Sequence, residues 1–216
     1  MIITIDGPAG SGKSTVARLL AERLNVRFLD TGAMYRAVAL AVLNESVDEN
    51  DHAAVARIAQ KVTVSFEHDR VLLNDRDVSS EIRSPDVTAI SSIIASNPDV
   101  RKRLVELQRD IGRQASMVTE GRDQGTVVFP DAEHKFFVTA DLEARARRRQ
   151  RELAYEGVNQ PIHVVMDQLR QRDERDETRA HAPMKPAMNA QVVDTSDLSI
   201  AQVVESLLNR VEGRTP

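Results

Sequence analysis

The chain has 216 residues, 41% of them hydrophobic, which is enough for one core with room for an insertion or lid. Its net charge of -4 argues against binding nucleic acid over the whole surface, so any basic function has to be local. The absence of cysteine excludes disulfides, thiolate zinc sites, iron–sulfur clusters and a cysteine nucleophile, and suits a reducing, cytoplasmic setting.

The chain opens on MIITI, a short β-branched run that reads as a buried strand ending at Asp6-Gly7. KSTVARLLAERL follows, with Val16, Leu19, Leu20 and Leu24 at helical spacing. A second helix is expected from near Thr31 through AMYRAVALAVL, and a third is expected to be capped by Asp51. The texture changes near residue 63. VTVSF, RVLLN and RDVSS are short β-like pieces separated by polar turns, which predicts a small antiparallel sheet. Helices over Ser84–Ala95 and Asn97–Gln114 each open on an N-cap residue followed by Pro. MVTEG and HKFFVTA read as core strands. DLEARARRRQREL and IHVVMDQLRQRDERD read as helices around the break EGVNQP, and a strand QVVDTS and an amphipathic helix SIAQVVESLLNRV finish the chain. This alternation predicts a doubly wound α/β fold with a mostly parallel sheet, interrupted by an insertion over about residues 63–105. No apolar run of 18 residues is present to span a membrane, and MIITIDG lacks the features of a signal peptide. His52, His68, His134, His163 and His181 are scattered and read as surface or packing residues, not metal ligands.

Gly7-Pro8-Ala9-Gly10-Ser11-Gly12-Lys13-Ser14, followed by Thr15, fits G-x-x-x-x-G-K-[ST] between a strand and a helix. The glycines let the backbone wrap a phosphate with its N–H groups inward, and the helix that follows adds the positive end of its dipole. Lys13 is expected to reach the β and γ phosphates of a nucleotide, and Ser14 to ligate Mg²⁺.

Arginine supplies positive charge elsewhere. Arg36 lies about one helical turn after Thr31, and Arg122 sits in EGRDQGT, read as a polar loop just after an apolar strand, at the strand end where parallel sheets bind ligands. Arg145, Arg148 and Arg149 share a helix face, as do Arg172, Asp176 and Arg179 if their helix persists that far. Solvated faces laced with i,i+4 ion pairs, such as Arg172 with Asp176, are the alternative for the last two groups. Phosphoryl transfer between two anions favours the functional reading, because planar, permanently charged arginines hold donor and acceptor oxygens at once.

Taken together, DGPAGSGKST, LDTGAMYRA, GRDQGTVVFPDA, RDERDETRAHAP and VVDTSDLSI resemble the bacterial cytidylate kinases, nucleoside monophosphate kinases of the P-loop class, from residue 2 to about 211. The resemblance implies ATP-dependent phosphorylation of CMP or dCMP with Mg²⁺, by a cytoplasmic monomer. It implies a three-layer core over 1–30, 106–146 and 162–216, a monophosphate-binding domain over about 31–105, and a short helical lid over about 147–161. By position, Thr31, Arg36 and Arg122 would hold the CMP phosphate. Ser92, Arg101, Asp123 and Arg179 would read cytosine, with Ser91 or Arg103 substituting if the register is shifted. Arg172 and Asp176 would bind the ribose, and one of Arg148 and Arg149 would close over the transferring phosphate. The family pattern has an apolar residue where this chain has Gln124; little effect on the chemistry is expected, and local packing or base contacts are where a difference would lie.

Other readings stay open on the residues themselves. A kinase for another small acceptor (adenylate, uridylate, shikimate or dephospho-coenzyme A) shares the phosphate loop. A GTPase or ATPase switch that hydrolyses to water is opposed by the lack of an N-K-x-D guanine motif and by arginines too numerous for a water acceptor. An RNA-binding module built on RARRRQR has only 3% aromatic residues for stacking.

Overall fold

The computed structural model describes residues 1–67, 70–155 and 157–214; His68 and Glu156, the first residue of the expected break, lie outside the described residues. In chain order the elements are β1 (Ile2–Asp6), α1 (Lys13–Leu24), β2 (Arg27–Asp30), α2 (Thr31–Asn44), α3 (His52–Lys61), β3 (Val64–Glu67), β4 (Arg70–Leu73), β5 (Arg76–Asp77), α4 (Pro85–Ile94), α5 (Pro98–Gln114), β6 (Met117–Gly121), β7 (His134–Thr139), α6 (Leu142–Tyr155), α7 (Ile162–Thr178), β8 (Gln191–Asp194) and α8 (Ile200–Val211). A 3₁₀ turn covers Glu81–Arg83 and a π-helical turn covers Gln124–Val128. The chain divides into two compact units, Met1–Leu29 with Gln114–Pro216, and Asp30–Arg113.

The first unit is built on a five-stranded sheet in the order β2-β6-β1-β7-β8. β1 runs parallel to both β6 and β7, and β7 parallel to β8. The central strands are apolar because both faces are covered. Ile3, Ile5, Val118, Phe136 and Val138 pack with Val16, Leu20, Val203 and Leu207, which joins the apolar stripes of α1 and α8 to the sheet. A second cluster, Ala146, Leu153, Val165 and Leu169 with Ala9, packs α6 on α7 behind the phosphate loop. β1, β6 and β7 therefore deliver their C-terminal ends, Asp6, Gly121 and Thr139, to one edge.

The second unit is helical, with the expected small antiparallel sheet, β3-β4-β5. Its helix starts follow the capping signals. Asp51 accepts from the Ala54 N–H at 2.9 Å, and Ser84 caps α4 with Pro85 at the first helical position. Asn97 accepts from the N–H groups of Asp99 and Val100.

Two elements differ from expectation. β2 has no counterpart in the sequence reading, because RFLD is a four-residue edge strand with one buried residue, Leu29, and its Asp30 serves as the N-cap of α2. The expected polar loop after β6 is a buried π-helical turn, in which Gln124, Gly125 and Val128 are buried.

Candidate active site

The phosphate loop takes its shape from contacts that exclude side chains. Gly7 has φ 149°, and a Cβ there would stand 2.0 Å from the carbonyl oxygen of Val138 on β7. Gly12, φ 86°, is the N-cap of α1, whose first turn receives no capping side chain. Those open N–H groups and the helix dipole make the start of α1 suited to an anion. Gly7→Ala is expected to cost roughly 3 kcal/mol or more, since the backbone must move away from β7; a urea midpoint within error of the parent would show that β7 yields instead.

Lys13 folds back over the loop. Its ammonium donates to the carbonyl of Pro8 at 3.0 Å and lies 3.9 Å from Glu120 at the end of β6. Burial pushes its pKa down to about 7, with Arg122 acting the same way and Glu120 opposing. Ser14 and Thr15 are exposed, whereas Ser11 is buried with no partner for its hydroxyl among the described residues.

The arginines around the loop are held by carboxylates distant in sequence. Arg122 Nε donates to Asp176 Oδ2 at 2.7 Å, and Arg179 lies 3.3 Å from Asp123. Burial opposes the charge of Arg122, but the carboxylates of Asp176 and Glu120 outweigh it and raise its pKa. Burial would likewise raise the pKa of Asp176, but Arg122 and Arg172 together hold it below the ordinary range. The alternative of a solvated Arg172–Asp176 face does not hold for Asp176, which is buried and accepts a hydrogen bond from Arg122 while Arg172 also acts on it. Arg145 is also buried, donating to the carbonyls of Ala9 and Ala140 and to Asp173. Arg148 donates to the carbonyl of Ser11 and to Thr195 at the end of β8, whereas Arg149 pairs with Glu152 on the surface of α6. The solvated-face reading holds for Arg147 with Glu143 and Arg170 with Asp167, not for the buried residues of the same helices.

The second unit has its own cationic corner. Asp30 caps α2 by accepting from the Ala33 N–H at 2.8 Å, and its other oxygen accepts from Arg36 at 3.1 Å. Thr31 is buried beside it, and Arg36 Nε is buried with no hydrogen-bond partner among the described residues. Arg101 is buried, with its guanidinium 5.7 Å from the centre of the Tyr35 ring, while Arg103 is half-buried. Ser92 is half-buried on α4; the hydroxyl of neighbouring Ser91 donates to the carbonyl of Thr88 on its own helix.

Gln124, the departure from the family pattern, is buried and accepts from the Thr119 hydroxyl at 2.9 Å. Sequence reasoning passed over Asp6, Glu120 and Thr195. Each lies at the end of a strand or directly follows one, and a polar residue there reads as the start of a turn. Their burial at the strand-end edge is what marks them.

A family model described as cytidylate kinase matches residues 3–213. A protein named cytidylate kinase from Pelotomaculum thermopropionicum is 48% identical over 214 residues, 97% of this chain and 95% of that one. Another of that name, from Mycobacterium leprae, is 46% identical over 216 residues, covering 100% and 97%. Among solved structures, a shikimate kinase from Bacteroides thetaiotaomicron aligns with TM-score 0.52 at 14% identity over 98% of both chains. An uncharacterized protein from Eubacterium ventriosum aligns with TM-score 0.57 at 14% identity over 99% of both. At such identities the likeness is one of fold.

Proposed function

The chain belongs to the cytidylate kinase family and phosphorylates CMP and dCMP with ATP, and we propose that the array of Lys13, Arg122, Asp176 and Arg148 around the phosphate loop carries the transfer. Supporting this reading are the buried Lys13 at the start of α1 and the half-buried Arg122 directly after β6, in a setting where fixed charge acts strongly.

In the proposed assignment the loop from Gly7 to Thr15 cradles ATP, with Lys13 on its β and γ phosphates. Arg122 meets the acceptor phosphate, and of the two lid candidates Arg148 is favoured over Arg149 because it reaches the loop. Asp123 and Arg179 are assigned to the base, and Arg172 and Asp176 to the ribose. From the second unit, Thr31 and Arg36 are assigned to the CMP phosphate and Ser92 and Arg101 to cytosine. Residues 147–161 are the proposed lid. The transfer needs no protein nucleophile, since the acceptor is already an anion; positioning and charge neutralisation supply the rate.

Among the described residues no three His, Asp or Glu side chains are grouped to hold a metal by themselves. A Mg²⁺ taken up with ATP fits the exposed Ser14 hydroxyl at the helix start, since this ion is commonly shared between one or two protein oxygens and phosphates. When bound, it would neutralise charge on the β and γ oxygens. The proposed working unit is a monomer in the cytoplasm with nucleotides, not nucleic acid, as its partners; no described helix is long and apolar enough to cross a membrane.

A coupled ADP-release assay over the common nucleoside monophosphates tests the reading. CMP and dCMP are expected as the preferred acceptors. Turnover of AMP or shikimate well above CMP would overturn it, and ATP hydrolysis unaffected by any acceptor would favour a switch.

A further inference from the structure

Asp6 ends β1 and is buried, with 3% of its surface exposed. Both its oxygens are used on one remote backbone segment. Oδ1 accepts from the N–H of Gln124 and Oδ2 from the N–H of Gly125, each at 2.8 Å. These two amides open the π-helical turn that directly follows Arg122 and Asp123. On its other side Asp6 is joined to Gly7, which is seated against β7. The turn approaches closely: a Cβ on Gly125 would lie 2.9 Å from the Thr4 hydroxyl and 3.4 Å from Asp6 Oδ2.

A buried carboxylate is costly, and an apolar side chain would fill the same volume without that cost. What a carboxylate supplies is two acceptors on one short, rigid stem. Asparagine has a single acceptor oxygen, and its NH₂ would face an N–H. We propose that Asp6 is a positioning residue: by holding the Gln124 and Gly125 amides, it fixes Arg122 and Asp123 in register with the phosphate loop. The inference rests on the reading that Arg122 and Asp123 contact the acceptor.

The clamp has a protonation state. Burial pushes the Asp6 carboxyl up to about 7, against the two backbone N–H groups that favour its charge. Asp123 and Arg122 of the turn act in opposite directions on it, and Lys135 of β7 brings its Cδ within 3.4 Å of the Gly125 Cβ position. A proton on either oxygen turns an acceptor into a donor facing an N–H, which is the situation Asp6→Asn makes permanent.

The test compares the unaltered enzyme with Asp6→Asn, measuring kcat/KM for CMP from about pH 5.5 to about pH 8.5 and the Kd of ATP for the enzyme alone. At the alkaline end, kcat/KM for CMP is expected to fall roughly 10- to 100-fold, with the ATP Kd changed no more than about twofold. As pH drops through about 7, the ratio of the two enzymes should shrink toward one, since the unaltered protein then carries the proton. Ionisation of the CMP phosphate is common to both and cancels. A ratio independent of pH, or an equal loss of ATP affinity, would make Asp6 a structural residue and overturn the inference. Should Asp6→Asn not fold, Gly125→Ala presses on the clamp from the turn side; a CMP loss with intact ATP affinity supports the proposal, and unaltered CMP kinetics sinks it. Failure of the functional reading looks different: the unaltered enzyme would then prefer another acceptor, on which the same comparison is made.

Discussion

Arg122→Ala is expected to lower kcat/KM for CMP by about 10²- to 10³-fold while leaving the ATP Kd within about twofold. The guanidinium is pinned by Nε on Asp176 and by a 3.3 Å bond from Nη1 to the Gly121 carbonyl, leaving Nη2 with no protein partner among the described residues. A guanidinium held on one side and open on the other neutralises an incoming phosphate without reorganising. Removing it has a second consequence. Burial opposes the charge on Asp176, and Arg122 is the first of the groups that hold it ionised. The alanine variant leaves that carboxylate with Arg172 and Arg179 alone, so a loss of about 1–3 kcal/mol in stability is expected alongside the kinetic loss. Arg122→Lys separates the two effects. One ammonium retains charge beside Asp176 and recovers most of the stability, but it cannot keep Nε on the aspartate and offer a second nitrogen to the acceptor. Circular dichroism melts and steady-state kinetics on both variants check this. Turnover of CMP unchanged in the alanine variant would remove Arg122 from the transfer.

The phosphate loop was fully legible in the sequence because its requirements are local: glycines where φ is positive, a lysine and a hydroxyl at fixed spacing, a strand before and a helix after. Helix starts at Asp51, Ser84 and Asn97 were legible for the same reason, since a cap and its partner lie within three residues of each other. β2 was not, because an edge strand of four residues with one buried side chain carries too little pattern. Pairings fixed by the fold were hidden as well. Arg122 and Asp176 are 54 residues apart, and α7 read by itself offers Asp176 only Arg172. Burial is what the helix pattern hides: α7 turns Asp173 and Asp176 inward while Asp167 stays with Arg170 in solvent. Asp6 shows the same limit from the other direction. IDG reads as a strand meeting a turn, and only the parallel alignment of β1 with β6, Asp6 opposite Gly121, brings its carboxylate to the two amides that follow Asp123.

Lys13→Met is expected to remove turnover, by about 10³-fold or more, and yet to stabilise the nucleotide-free protein. The two effects share a cause. Lys13 is buried, donates to one carbonyl, and stands 3.9 Å from Glu120, a separation too long for a strong pair. Burial, then Arg122, push its pKa from 10.5 down to about 7. The folded state therefore bears a penalty for the ammonium that the unfolded chain does not. Between about pH 7 and 10.5 the unfolded chain binds more protons than the folded one, so the stability of the parent rises with pH across that window. The penalty is complete below about 7 and absent above 10.5. Methionine, similar in length and uncharged, escapes it. Without nucleotide the variant should unfold on the order of 3–10 °C above the parent at neutral pH and below, the difference closing as pH rises toward that of free lysine. Asp6 contributes a slope of opposite sign, because its raised pKa makes stability fall as pH rises from about 4 to about 7, but it does so in both proteins and drops out of the difference. Saturating MgATP should reverse the order, since phosphate oxygens give the ammonium closer anionic partners than Glu120 and the parent gains the linkage free energy of tight binding. A variant less stable than the parent at neutral pH without nucleotide would mean that Glu120 already compensates the lysine, and that the nucleotide-free site bears no net penalty for its charge.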